Sequence, residues 1–275
     1  MKIGLALSGG GVLGVAHIGV LKMIEKEKIP IKYISGTSAG AIIGALFAAG
    51  GVARIEAFLA DLEKQGVFSR ANLIFGGLPD KTFETIRTTL QKHLPEKFYD
   101  LNINFVCVAT HFAEGNPVYL ESGDLVSALM ASSAFPGAFP AQDIDGKSLI
   151  DGGISRNLPA GILRKKGMDF IIGSSLYNIE VMDKFDVEGK EPGRLLSTLR
   201  SIDIMQKELA RYEMKKCDYV FTPPVETFSW FHFTKMVEIR AIGEDYAEAH
   251  AAEFLKALKR HHKENGFLSA LFGRK

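Results

Sequence analysis

The stretch Gly36-Thr37-Ser38-Ala39-Gly40 lies between an apolar run, residues 31–34, and a helix of small residues, residues 41–49. A strand, a tight turn with a serine at its apex and a helix together form the setting of a nucleophile elbow. Gly36 and Gly40 tolerate a strained turn and a close approach of strand and helix. The serine oxygen is expected at a helix N-terminus, where free N–H groups favour negative charge. Because G-x-S-x-G alone is a weak pattern, its neighbours decide its meaning.

A second glycine-rich segment, Gly9-Gly10-Gly11-Val12-Leu13-Gly14, follows the first predicted strand, residues 2–7. It fits G-x-G-x-x-G, but the second predicted strand lacks the terminal acid that a dinucleotide site needs. Val15 follows Gly14, so the segment is not a P-loop either. The remaining functional interpretation is an oxyanion hole, in which consecutive backbone N–H groups converge on one point. A plain glycine turn is the alternative, and Ser38 at the exit of the next strand favours the oxyanion hole.

A serine nucleophile needs a proton acceptor, and no histidine of the chain has a context that marks it as catalytic. Only one strand–helix unit precedes Ser38, which argues against an α/β-hydrolase triad. His17 is expected to be a packed histidine bonded to nearby backbone. Asp151 ends a short predicted strand, and Gly152-Gly153 after it allow a sharp turn. Burial would raise the pKa of Asp151 above its reference value of about 3.9 and make a Ser–Asp dyad workable near neutral pH. An ordinary Asp-Gly turn is the alternative.

Buried strands are predicted over residues 2–7, 31–35, 104–110 and 170–176, and helices alternate with them. This alternation favours a mostly parallel sheet covered on both faces. A long helix over 192–216 carries an apolar stripe of Leu195, Leu199, Ile202, Met205 and Leu209. A terminal helix over 234–262 is expected to break near Gly243, and the polar segment 178–193 is expected to be a surface loop.

The chain has 275 residues, 47% of them hydrophobic, and a formal net charge of +1. This composition suits one large domain, or at most two, and does not predict a nucleic-acid partner. Cys107 and Cys217 form no C-x-x-C pair, which argues against a disulfide framework or a zinc site and for a cytoplasmic setting. The first apolar run is too short for a signal peptide. No segment is expected to reach the roughly 18–20 apolar residues of a membrane span; residues 39–52 come closest.

Three blocks occur in order: 9–14, 36–40 and Asp151-Gly152-Gly153. This order resembles the patatin-like phospholipase family, and within it the small bacterial members. The stretches Ala16-His17-Ile18-Gly19-Val20-Leu21 and Ala131-Ser132-Ser133-Ala134-Phe135-Pro136-Gly137 add to the likeness, which covers about residues 3–176. The resemblance implies an α/β fold, a three-layer α/β/α sandwich with a mostly parallel central sheet. One domain is expected over 1–275, with a helical C-terminal region over about 192–275.

The resemblance also implies hydrolysis of lipid acyl esters by a Ser–Asp dyad, through an acyl-serine intermediate. Ser38 is then the nucleophile and Asp151 the proton acceptor. Backbone N–H groups of Gly10, Gly11 and Val12 would form the oxyanion hole. The motif glycines are Gly9, Gly14, Gly36, Gly40, Gly152 and Gly153. No metal and no organic cofactor are implied. Leu13 stands where the family usually carries Arg or Lys.

Two alternatives remain open at this point. One is a regulatory or lipid-binding protein that kept the fold without turnover, which Leu13 motivates. The other is an acyltransferase that passes the same acyl group to an alcohol. The expected partner is a lipid or ester substrate, with peripheral contact at the inner membrane surface left open. Two apolar clusters could reach a membrane. The first, Phe228, Trp230, Phe231 and Phe233, is interpreted as part of the core. The second, Phe267, Leu268, Leu271 and Phe272, is interpreted as a tail that packs on the protein or is disordered.

Overall fold

The structure is a computed structural model that describes residues 1–67, 80–177, 193–230 and 232–272. Of the predicted surface loop over 178–193, residues 178–192 lie outside this described part, and so does Phe231. The apolar side chains of the C-terminal tail, beyond residue 264, also lie outside it.

The strands of the described part form one mixed sheet in the order β5-β6-β3-β2-β1-β7-β8, and β4 pairs with β3. They are β1 Ile3–Leu7, β2 Ile31–Thr37, β3 Asn104–His111, β4 Pro117–Leu120, β5 Gln142–Ile144, β6 Lys147–Asp151, β7 Phe170–Ser174 and β8 Tyr219–Phe221. The run β3-β2-β1-β7-β8 is parallel, whereas β4, β5 and β6 are antiparallel. The predicted parallel centre is confirmed, and an antiparallel edge is added to it.

Helices cover both faces of this sheet, as the layered prediction requires. They are α1 His17–Lys26, α2 Ala39–Lys64, α3 Asp80–His93, α4 Leu125–Ser132, α5 Ala160–Lys165, α6 Arg194–Met214 and α7 Met236–Phe272. The residues of β1 alternate between the two faces, because successive side chains of a strand point in opposite directions. Leu5 and Leu7 pack in the large core with α1, α2 and α7, whereas Ala6 packs in a smaller core with α5 and α6.

Helix α2 joins the two helices predicted over 38–49 and 52–65. Its backbone leaves helical geometry at Gly50 and Gly51, and Gly51 has a φ of +70°. Among the described residues, α2 is the one helix long and apolar enough to cross a membrane, judged by length and composition, although half of its apolar window is buried in the protein. Residues 39–52, which come closest to a span by sequence, lie in this helix, and the kink at Gly50 and Gly51 interrupts it. A mostly buried core helix passes the same test.

The predicted break in the terminal helix is wrong, because α7 continues through Gly243. This glycine allows a close crossing of α7 over α1: a Cβ at Gly19 would lie 2.1 Å from the Gly243 carbonyl oxygen. Gly19 and Gly243 therefore allow the two helices to pack closely, and neither glycine terminates its helix.

The predicted apolar stripe of α6 is also wrong at Met205, which is 57% exposed. Helix α6 instead buries Gln206, Ala210 and Glu213. A carboxylate oxygen of Glu213 accepts the N–H of Gly161, 2.7 Å away, in the first turn of α5. This buried polar contact fixes the rotation of α6 and turns Gln206 toward the protein interior.

The ends of β2 and β6 meet along one side of β3. Thr37, the last residue of β2, pairs with Val108 of β3. Asp151, the last residue of β6, pairs with Ala109, the next residue along the same strand. Because β4 pairs with both Val108 and Ala109 from the opposite side, β2 and β6 share the other side and run toward each other. Residue 38 and Asp151 are thereby brought to one point.

Candidate active site

Ser38 stands between β2 and α2 in a backbone conformation that non-glycine residues rarely adopt, with φ of +52° and ψ of −124°. Such a conformation costs about 1–3 kcal/mol and persists only where the surroundings enforce it. One restraint comes from Ser132, whose Oγ accepts the Ser38 N–H at 3.0 Å and donates to the Val108 carbonyl at 2.6 Å. A second is the close approach of Gly40 to β1, since a Cβ there would lie 2.4 Å from the Ser8 carbonyl oxygen.

Asp151 is 2% exposed and is held from several sides. Its N–H donates to the Ala134 carbonyl at 3.0 Å, and its own carbonyl accepts from Thr110 Oγ1 at 2.9 Å. Its Oδ1 accepts the Gly153 N–H at 2.7 Å. The backbone turns so closely after it that a Cβ at Gly152 would lie 2.0 Å from the Val108 carbonyl oxygen. This approach requires a glycine at 152, and a Cβ at Gly153 would lie 2.6 Å from Gln206 Nε2.

Burial raises the pKa of Asp151 to about 6. Hydrogen bonds from the Ser38 side chain and from the Gly153 N–H favour the carboxylate and oppose part of this rise. A carboxylate with that pKa is ionised at neutral pH and is a stronger base than an exposed aspartate. Ser38 and Asp151 line the same cavity, so the two side chains share one site.

The glycine loop, residues 9–14, lies next to Ser38. The N–H of Gly9 donates to the Asn157 carbonyl at 3.2 Å, and Gly11 has a φ of +58°. Among the described residues, no acceptor takes the N–H groups of Gly10 and Gly11. In the described part of the chain these two donors are therefore not used by another protein group.

Val12 departs from that prediction. Its N–H donates to the carbonyl of Trp230 at 3.0 Å, so this donor is occupied in the structure. The contact is long-range: Trp230 precedes α7, and its ring packs on Phe135 with the ring centroids 4.5 Å apart. Leu13, the next residue, is 8% exposed and packs in the large core. The position at which the family usually carries Arg or Lys therefore faces the protein interior here.

His17 lies under the glycine loop and is fully buried. Its ring nitrogens contact Ser174 Oγ at 2.7 Å and the Ser8 carbonyl at 3.0 Å. Burial lowers its pKa to about 4, against a smaller opposite effect of the bond to Ser8. The imidazole is therefore neutral at physiological pH and supports the backbone before Gly9, as expected for a packed histidine.

A cavity opens at Ser38 and Asp151 and is lined mainly by apolar side chains. The glycine loop contributes to its lining with Gly9, Gly10, Gly11, Val12 and Gly14. Its apolar part is formed by α2, α3, α4 and the segment before α7, with Ile42, Phe58, Leu59, Leu62, Phe83, Ile86, Met130, Phe139, Trp230, Phe233 and Met236. Trp230 and Phe233, two residues of the aromatic cluster over 228–233, therefore line the cavity and are half-buried. The cavity therefore offers an apolar surface next to Ser38.

The described residues contain no group of three or more His, Cys, Asp or Glu placed to hold a metal ion. Cys107 is buried in β3, where burial raises the pKa of its thiol, and it forms no disulfide.

Three polar residues at this site were not singled out from the sequence. In the sequence, Ser132 stands out only as part of the stretch over residues 131–137. Asn157 lies six residues after Asp151 and lines the cavity together with Gln206 of α6. Neither carries a local signal, because both reach the site through long-range packing.

Comparison with known proteins relates the chain to one family. The family described as Patatin-like phospholipase matches residues 5–164. A Patatin-like phospholipase domain-containing protein of Caenorhabditis elegans is 28% identical over 287 residues, which cover 92% of this chain and 21% of that protein. A Lysophospholipase nte1 of Aspergillus fumigatus is 25% identical over 297 residues, covering 94% of this chain and 18% of that protein.

A protein of Mycobacterium tuberculosis described as an uncharacterized NTE family protein is 30% identical over 194 residues, covering 68% of this chain and 52% of that protein. The chain thus spans from about a fifth to about half of the length of these relatives. Among solved structures, VipD from Legionella pneumophila aligns with a TM-score of 0.51 and 15% identity, over 92% of this chain and 67% of that chain. This likeness concerns the fold alone.

Proposed function

The chain belongs to the patatin-like phospholipase family, and from that premise we propose that it hydrolyses acyl esters of lipids with Ser38 as nucleophile and Asp151 as general base. The observation that carries the proposal is the meeting of a strained serine with a buried carboxylate whose pKa is raised to about 6. Both residues line a mainly apolar cavity.

In the first half of the proposed reaction, Ser38 Oγ attacks the acyl carbonyl carbon while its proton passes to Asp151. The carbonyl oxygen becomes an oxyanion, which the N–H groups of Gly10 and Gly11 stabilise by hydrogen bonding. The tetrahedral intermediate collapses when protonated Asp151 returns the proton to the alcohol oxygen as the C–O bond breaks. The alcohol leaves, and an acyl-Ser38 ester remains.

In the second half, a water molecule takes the position of the departed alcohol. Asp151 accepts one proton of this water as its oxygen attacks the acyl carbon. The second tetrahedral intermediate then expels Ser38 Oγ, which recovers its proton from Asp151, and a fatty acid is released. Asp151 thus serves as base and as acid in each half-reaction, a role suited to a carboxyl group with a pKa near 6.

The lining of the cavity supports a substrate with a hydrocarbon chain. Burial of each methylene group contributes about 0.8 kcal/mol, so an apolar cavity favours long acyl chains over short ones. The relative named Lysophospholipase nte1 is consistent with a lipid ester of this kind.

We further propose that residues 1–275 act as one domain in the cytoplasm. Helices α6 and α7 pack on the same sheet that carries the site, in its two cores. Cys107 and Cys217 are free thiols, which fits a reducing compartment.

The proposal is tested by assaying a panel of lipid esters with wild type, Ser38→Ala and Asp151→Asn in parallel. Each substitution should lower kcat by at least about a thousandfold, because each removes a partner in proton transfer. Comparable hydrolysis by wild type and both variants would exclude the dyad, and no hydrolysis of any ester by wild type would exclude the enzyme activity itself.

A further inference from the structure

The glycine loop is hydrogen-bonded to distant parts of the chain on both sides of Gly10 and Gly11. On one side, the N–H of Gly9 donates to a backbone carbonyl in the segment after β6, 3.2 Å away. On the other side, the N–H of Val12 donates to the carbonyl of Trp230, 3.0 Å away. The two N–H groups proposed for the oxyanion hole therefore lie between two long-range anchors.

Trp230 fits closely against this loop. A Cβ at Gly11 would lie 2.6 Å from the Trp230 carbonyl oxygen and 3.1 Å from the Trp230 Cβ. Gly11 also has a φ of +58°, a conformation that glycine adopts at little cost. A side chain at position 11 would push Trp230 away, so this glycine is what allows the carbonyl to reach the N–H of Val12.

The indole ring of Trp230 connects the same anchor to another part of the site. It packs on Phe135, with the ring centroids 4.5 Å apart and the ring planes at 56°. Phe135 directly follows Ala134, whose carbonyl accepts the Asp151 N–H at 3.0 Å. Trp230 therefore contacts both the glycine loop and the segment that holds Asp151, although it lies outside residues 5–164, which the family match covers.

The turn that carries Trp230 has hydrogen bonds of its own. The N–H of His232 donates to the Ser229 carbonyl at 2.9 Å, and the N–H of Ser229 donates to His232 Nδ1 at 3.1 Å. Val225, which precedes this turn, is fully buried in the large core. The Trp230 carbonyl is thus presented by a folded turn, and the packing of the ring on Phe135 fixes where that turn lies.

We propose that Trp230 is a positioning residue for the oxyanion hole. Its carbonyl fixes the glycine loop at Val12, its ring fixes that carbonyl against Phe135, and the N–H groups of Gly10 and Gly11 are thereby held in place. The inference rests on the proposed function, because it concerns how the same site stabilises an oxyanion. Donors that are positioned before the reaction stabilise the transition state without reorganisation, and a displacement of about 1 Å can cost about a hundredfold in rate.

The test uses p-nitrophenyl acetate, whose acetyl group is too short to fill the apolar cavity, so contacts with a hydrocarbon chain do not affect the result. Trp230→Ala should lower kcat by about a hundredfold and leave KM within about threefold of wild type, because the displaced donors act on the transition state. Trp230→Phe keeps a ring against Phe135 and should restore kcat to within about fivefold of wild type.

Phe228→Ala is the matched control. Phe228 is a half-buried aromatic residue of the same segment, packs on the large core and is not among the residues that line the cavity. Its substitution should lower the unfolding temperature through lost packing and leave kcat within about threefold of wild type. Equal losses of kcat in Phe228→Ala and Trp230→Ala would show a structural role of the whole segment and would overturn the inference.

A second variant covers the case in which Trp230→Ala does not fold. Phe135→Leu removes the ring partner and keeps Trp230, the one tryptophan of the chain, so the intrinsic fluorescence reports this residue alone. The variant should shift the emission of Trp230 and lower kcat by about tenfold. An unchanged kcat in Phe135→Leu would overturn the inference.

Labelling of Ser38 by a fluorophosphonate separates this inference from the proposed function. Normal labelling of wild type, together with an unchanged kcat in Trp230→Ala, overturns the positioning role alone. Wild type that neither labels at Ser38 nor hydrolyses any ester overturns the proposed function, and the positioning role with it.

Discussion

Ser38 and Asp151 approach each other because the strands that precede them, β2 and β6, end head to head along one side of β3. Thr37 pairs with Val108 and Asp151 with Ala109, so successive residues of β3 set the distance between the two groups. A parallel strand and an antiparallel strand thus supply the two halves of the proposed dyad. The antiparallel edge of the sheet positions Asp151.

Ser132 should matter for both stability and activity. Ser132→Ala removes the acceptor of the Ser38 N–H and the donor to the Val108 carbonyl. Loss of these buried bonds should lower the free energy of unfolding by about 1–3 kcal/mol. The elbow should also relax, and kcat should fall by about tenfold because Ser38 loses its position.

Ser133→Ala is the matched control for this experiment. Ser133 is similarly buried, but its Oγ has no hydrogen-bond partner among the described residues. Its substitution should change the free energy of unfolding by less than about 0.5 kcal/mol. Urea unfolding and steady-state kinetics of the two variants check both values, and equal effects would contradict a special role for Ser132.

The pH dependence of hydrolysis should report the ionisation of Asp151. Its carboxylate must be ionised to accept a proton, and burial raises its pKa to about 6. We expect kcat/KM to be level above about pH 7 and to fall by about tenfold per pH unit below about pH 6. Measuring kcat/KM against pH, with a substrate that does not ionise in this range, will show this fall. A profile that stays level down to pH 4.5 would contradict the assignment of Asp151.

Asp151→Asn should make the protein more stable at neutral pH. Because the folded-state pKa of about 6 lies above the reference value of 3.8, the folded state binds a proton more tightly than the unfolded state. Wild-type stability from this group is therefore full below about pH 4 and is lost as the pH rises through about 6. Asn cannot ionise and retains an oxygen for the Gly153 N–H. At pH 7.5 the variant should gain on the order of 1–3 kcal/mol in the free energy of unfolding.

The same comparison at pH 4 provides the control, since the gain should be almost absent there. Chemical unfolding of both proteins at the two pH values measures it. A variant that is less stable at pH 7.5 would show that the ionised carboxylate stabilises the fold, contrary to this account.

The central strands and the elbow could be predicted because their signals are local. Apolar runs flanked by glycines define β1 and β2, and the motif around Ser38 needs only neighbouring residues. The rotation of α6 could not be predicted, because the buried contact of Glu213 with Gly161 overrides the apolar pattern that includes Met205.

Val12 illustrates this limit at the site itself. Its place in the glycine loop predicts an oxyanion donor, but the carbonyl of Trp230, far away in sequence, takes its N–H. The partners of Ser132 and Gln206 are similarly distant in the chain. Residues that act through tertiary packing leave no local pattern, so the sequence singles out Ser38 and Asp151 but not the residues packed around them.

The most direct test of the central claim is mass spectrometry of the full chain after reaction with a fluorophosphonate. The account predicts one adduct on the peptide that contains Ser38, formed by wild type and absent from Ser38→Ala. Asp151→Asn should form the adduct at least about a hundredfold more slowly, because the base that activates the serine is gone. An adduct on another residue, or equal labelling of Ser38→Ala, would contradict the account.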